Sequence, residues 1–109
     1  MRRGTLPLML GRYVMVRWKE LPGRVRRELT QQIAERDGWV CQLCGLPISR
    51  YPLRRRDQLT ADHIIPESRG GASTIENLRA AHWGCNSARG NKMARRIIIY
   101  DRLREVLSA

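Results

Sequence analysis

Apolar positions recur along this chain at two different periods. Over residues 24–37, Val25, Leu29 and Ile33 fall every four residues among charged neighbours, the stripe of an amphipathic helix. Leu21-Pro22-Gly23 supplies an entry turn, and Gly38 stands where a helix ends in a left-handed residue. Residues 58–65 alternate instead, placing Leu59, Ala61 and His63 on one face, and so predict a short strand. Arg69-Gly70-Gly71 marks a sharp loop, and residues 78–82 predict the return strand.

A short helix is expected over 83–93, carrying Cys85, Asn86, Arg89 and Lys92. A closing amphipathic helix over 95–107 would bury Ile98, Ile99, Leu103, Val106 and Leu107. Residues 47–57, with two prolines and four arginines, read as an exposed basic loop. Residues 13–18 are either a strand or part of a poorly ordered arm. The apolar run over 5–18 is broken by Pro7, Gly11, Arg12 and Arg17, which rules out a transmembrane span, and no small-residue cleavage site makes it a signal peptide. The expected organisation is an N-terminal arm, 1–20, and one domain, 21–109, with its motif core at 40–92.

Composition adds two constraints. With 109 residues and no Phe, the core is small, and small cores usually need a disulfide, a metal or a partner chain as a staple. The net charge of +11, carried mostly by arginine, suits a polyphosphate partner, because a guanidinium grips phosphate oxygens in a fixed fork. Nucleic acid is favoured over an anionic membrane, since no basic helix has bulky aromatics along its apolar face.

The three cysteines cannot all pair as disulfides, so metal ligation is the better reading. Cys41-x-x-Cys44 followed by glycine has the form of a zinc knuckle, and His82-x-x-Cys85 repeats its spacing. A redox dithiol has the same spacing as the first pair, but no thioredoxin-like strand–helix pattern surrounds it. Together the two knuckles make a tetrahedral three-Cys, one-His site that accounts for every cysteine. Four ligands close such a site, so its role is to staple the helical arm to the rest and not to perform chemistry. His63 is then the remaining histidine, and Asp62 precedes it at a strand end, with the two side chains directed to opposite sides.

The stretch 62–92, DHIIPESRGGASTIENLRAAHWGCNSARGNK, resembles the HNH nucleases of the His-Me-finger (ββα-metal) class, in particular the small zinc-bearing members often encoded by phages. The likeness runs over residues 40–92. It implies an α+β fold, a zinc-stapled ββα-metal core with flanking helices. It also implies a metal-dependent DNA endonuclease that leaves 5′-phosphate and 3′-hydroxyl ends. By that resemblance His63 is the general base, Asn77 holds the loop that orients it, and Asp62 is the metal carboxylate. Asn86 stands where many members have His, giving an HNN variant.

One divalent ion, Mg²⁺ or Mn²⁺, would be held by Asp62 and Asn86, beside one structural Zn²⁺ on Cys41, Cys44, His82 and Cys85. His63, with an unperturbed pKa near ~6.5, would take a proton from water at neutral pH. Arg69, Arg89 and Lys92 are the candidate phosphate contacts. DNA is the expected partner, with a phage terminase or another larger DNA-processing protein as a further candidate. The chain is expected to be a monomer or weak dimer in the cytoplasm, that of the host cell for a phage-encoded member. Two rival readings are a zinc-ribbon DNA-binding module without catalysis and a packaging accessory protein. A pure binding module has no need of Asp62, His63, Asn77 and Asn86 together.

Overall fold

The computed structural model of the protein describes residues 16–92. The predicted helix over 95–107 and most of the N-terminal arm lie outside the described residues. Within them, Val16 and Arg17 are irregular and Trp18–Glu20 forms a single 3-10 turn, so the end of the arm is not a strand.

Helix α1, Gly23–Arg36, follows Pro22, whose fixed φ suits a helix entry. Ile33, from the apolar stripe, is fully buried, and so is Ala34 beside it. The helix stops at Asp37, after which Gly38 (φ +68°) and Trp39 (φ +56°) both turn left-handed. The predicted glycine stop is therefore followed by a second residue in the region that side chains disfavour. Trp39 is held there by two contacts: its indole N–H donates to Glu35 (3.0 Å), and the Arg50 guanidinium lies 4.1 Å from its ring centre.

Strands β1, Leu59–His63, and β2, Leu78–His82, form an antiparallel pair in which Asp62 faces Arg79 and His63 faces Leu78. Helix α2, Trp83–Arg89, leaves the end of β2 directly. Hairpin and helix give the ββα arrangement, with α1 packed against both strands.

Asp37 joins α1 to the sheet. Its carboxylate is fully buried, accepts the Ala80 N–H (2.9 Å) and pairs with Arg36 (2.7 Å). Arg36, the last residue of the helix, in turn donates to the carbonyls of Ile75 and Leu78. Asp37→Ala would leave the Ala80 donor buried without its acceptor. We expect a loss of about 1–3 kcal/mol, read from urea unfolding of the zinc-loaded protein.

The apolar core is thin. Among the described residues, the buried apolar set is Leu21, Ile33, Ala34, Cys41, Ile48, Leu78, Ala80 and Ala81, and half of these are Ala or Cys. Cys41 sits among Ile48, Ala80 and Ala81, with Leu43, Leu59 and Cys85 packed around them. The centre of the fold is thus built around a cysteine of the Cys-x-x-Cys pair.

Candidate active site and metal centre

The first knuckle is a tight backbone loop. Val40 bridges Pro47, the Cys41 N–H donates to Leu46 and the Gly45 N–H returns to Cys41. The Gln42 N–H then donates to Ala80 (2.9 Å), fastening the loop to β2. The second knuckle straddles the junction of β2 and α2, so His82 and Cys85 sit one helical turn apart.

The ligand atoms of Cys41, Cys44, His82 and Cys85 all lie within 4.8 Å of one another. Nδ1 of His82 is 3.4 Å from the Cys44 sulfur and 3.8 Å from that of Cys85. A tetrahedral zinc with ordinary Zn–S and Zn–N lengths requires a sulfur–nitrogen edge of about 3.5 Å. His82 Nε2 lies 3.0 Å from the Pro47 carbonyl, which as an acceptor fixes the proton on Nε2 and turns the Nδ1 lone pair inward. Burial and the neighbouring Cys41 and Cys44 push the Cys85 thiol up to about 12, so gathering these sulfurs as thiolates calls for a cation. The four side chains fit a closed structural zinc site.

A second cluster forms at the far end of β1. His63 leans into a groove of about 750 Å³ whose walls include Arg26, Arg27, Thr30 and Gln31 from α1, Thr60 from β1 and Asn86 from α2. The side chain of His63 is only 11% exposed, and Trp18 meets its ring edge-on at 5.8 Å. Burial lowers the His63 pKa from its ordinary value, and Arg89 adds to this, against the raising effects of Glu67 and Asp62. The neutral ring is therefore favoured.

The loop after β1 is closed by Asn77. Its side-chain oxygen accepts the Ile65 N–H (2.9 Å), while its amide donates to Ile65 (3.1 Å) and Ala72 (2.8 Å). Its own carbonyl accepts the Ile64 N–H (2.8 Å), next to His63. Gly71 is required in this loop, since a Cβ there would stand 1.6 Å from the Ile65 carbonyl oxygen.

Asp62 departs from its expected setting. It is 1% exposed, and its carboxylate is taken by Arg79 (2.7 Å) and by Arg89 (2.7 and 2.9 Å). Strand register sets Arg79 opposite it, and α2 brings Arg89 onto the same oxygens. Asn86 instead faces the groove, its amide 3.3 Å from Thr60 Oγ1 and 3.4 Å from the Ala61 carbonyl. The Asp62 carboxylate is thus engaged by two arginines, and the Asn86 amide lies against Thr60 and Ala61.

Arg89, one of the candidate phosphate contacts, is engaged within the protein. Its side chain is 7% exposed and donates to Asp62 and to the carbonyls of His63 (2.6 Å) and Ile64 (2.8 Å). It fastens α2 to the end of β1. Arg69 and Lys92 remain exposed near the end of α2, Arg69 donating to the Asn91 carbonyl (2.9 Å).

Sequence reading missed Glu67, Ser73 and Arg79. Ser73 Oγ lies 2.9 Å from His63 Nε2 and 3.1 Å from Glu67 Oε2, and Glu67 Oε2 is 3.5 Å from the same ring nitrogen. An acid four residues after the histidine, across the Pro66 turn, was the available signal for Glu67. Arg79 could have been found by pairing the strands, which puts the one cation of β2 opposite Asp62.

These elements define a class: a small α+β domain in which a three-Cys, one-His cluster fit for zinc adjoins a ββα unit with a histidine at the end of its first strand. Residues 41–92 match the family model described as HNH endonuclease. No curated protein and no solved structure matches the chain. Among the described residues, no helix is long and apolar enough to cross a membrane.

Proposed function

We propose that the protein is a DNA endonuclease in which His63 is the general base. The observation that carries this reading is the placement of His63, favoured in its neutral form, in a groove that Arg26 and Arg27 also line. Those arginines come from α1, outside the segment that matches the family. They add positive charge to the groove, which suits a phosphodiester backbone, although Arg26 also donates to the carbonyls of Lys19 and Leu21 (both 3.0 Å).

The neutral imidazole accepts a proton from water as the water oxygen forms a bond to phosphorus. The bond from phosphorus to the 3′ oxygen breaks, its electron pair stays on that oxygen, and solvent protonates it. The products are 5′-phosphate and 3′-hydroxyl ends. Asn77 serves by holding the loop that follows His63. Arg69 and Lys92 extend the cationic surface toward the end of α2.

A divalent ion, Mg²⁺ or Mn²⁺, would supply positive charge to the phosphate and the leaving oxygen. To be held by Asp62 together with Asn86 it would require Arg89 to withdraw from the carboxylate. Supercoiled plasmid incubated with the zinc-loaded protein tests this reading. We expect cleavage with Mg²⁺ or Mn²⁺ and none after the added ion is withdrawn by dialysis with the zinc retained. Full activity with zinc alone would remove the second ion from the account. Binding, measured without cleavage, should weaken steeply as salt rises and depend little on sequence; salt-insensitive affinity would assign the charge another purpose.

A further inference from the structure

Nε2 of His63 is occupied within the protein. Ser73 Oγ stands 2.9 Å from it and 3.1 Å from Glu67 Oε2, and the same Glu67 oxygen accepts the backbone N–H of Trp18. A serine hydroxyl has one proton to give, and a carboxylate can only accept. The arrangement is consistent when Ser73 donates to Glu67 and accepts from Nε2–H of the imidazole. Nδ1 has no hydrogen-bond partner among the described residues. We infer that Glu67 and Ser73 are positioning residues for His63, holding its ring as the Nε2–H tautomer and leaving Nδ1 to take the proton from water.

This rests on the reading of His63 as the base and names the nitrogen that acts. The other charged groups around the ring, Asp62 and Arg89, are tied to each other and to Arg79, and neither is bonded to a ring nitrogen. Glu67 and Ser73 therefore set the tautomer. Trp18 extends the device beyond the family segment: its N–H fixes the carboxylate oxygen that Ser73 also uses, and its ring closes one side of the imidazole. The last turn of the N-terminal arm thus helps to orient the base.

The test is the tautomer itself, read from ¹⁵N shifts of the histidine rings in the zinc-loaded protein above pH 7. There are two histidines, and the H63A spectrum assigns them. Wild type should show His63 protonated on Nε2. Glu67→Leu removes the acceptor and frees the Ser73 hydroxyl to donate to Nε2, so the ring should move toward the Nδ1–H form. In plasmid cleavage kcat should then fall by about 10²-fold, the lower end of what a general base contributes, with KM unchanged. Glu67→Gln keeps an acceptor oxygen for Ser73 and Trp18, and should retain both the tautomer and most of kcat.

A wild-type ring protonated on Nδ1 would overturn the inference, as would a Glu67→Leu protein with an unchanged tautomer or undiminished kcat. Failure of the broader reading looks different. H63A cleaving as fast as wild type would remove His63 as the base while leaving the tautomer measurement intact.

Discussion

Removal of zinc should unfold this protein. Structural zinc sites contribute about 10–16 kcal/mol of apparent binding energy near neutral pH, while a whole domain is stable by only about 5–15 kcal/mol. Here the buried apolar set is half Ala and Cys, and one of its members, Cys41, belongs to the metal centre. Little would remain to hold α1 and the first knuckle against the sheet once the ion is gone. We expect about one zinc per chain by elemental analysis. Chelation, Cys41→Ser and His82→Ala should each abolish cooperative thermal unfolding and collapse helical circular dichroism. His82→Cys should be tolerated, because a thiolate can complete the same tetrahedron. A metal-free wild type that still melts cooperatively would show that the four ligands are not what staples the fold.

Loss of His63 should have the largest effect on rate. A general base is worth roughly 10²–10⁴ in rate, so His63→Ala should cut cleavage by that factor. The pH dependence follows from the sign of the shift. Burial lowers the His63 pKa, so the ring stays neutral to a lower pH than a free histidine. The rising limb of kcat/KM, which reports the free enzyme, should have its midpoint below the unperturbed value of about 6.5. It should be absent from the residual activity of His63→Ala. A limb centred well above that value would place His63 in a more anionic setting than the one described.

Much of this arrangement is legible in the residues. The period-four stripe of α1, the alternation of β1 and the Gly-Gly loop report local backbone preference, which sequence expresses directly. The metal centre is legible because repeated two-residue spacing is a geometric demand of one ion. What remained hidden depends on pairing across distance. Asp62 reads as a free carboxylate until β2 sets Arg79 opposite it and α2 lowers Arg89 onto it. Arg89 itself sits among small and polar neighbours and shows no local sign of burial. Asp37 likewise reads as the last polar residue of a helix, although it holds Ala80 and Arg36 at the centre of the fold. In a chain with 21 Lys and Arg residues, charge alone does not distinguish an arginine that bonds carbonyls from one that faces DNA.

The central claim, that His63 carries the chemistry while the zinc centre carries the fold, meets its most direct test in one measurement. Wild type and His63→Ala, matched for zinc content and melting curve, are incubated with supercoiled plasmid and a divalent ion under single-turnover conditions. The account predicts equal DNA binding and a cleavage rate lower by roughly 10²–10⁴ in the variant. Equal cleavage rates in nuclease-free preparations would contradict it, and the protein would then be better described as a zinc-stapled DNA-binding module.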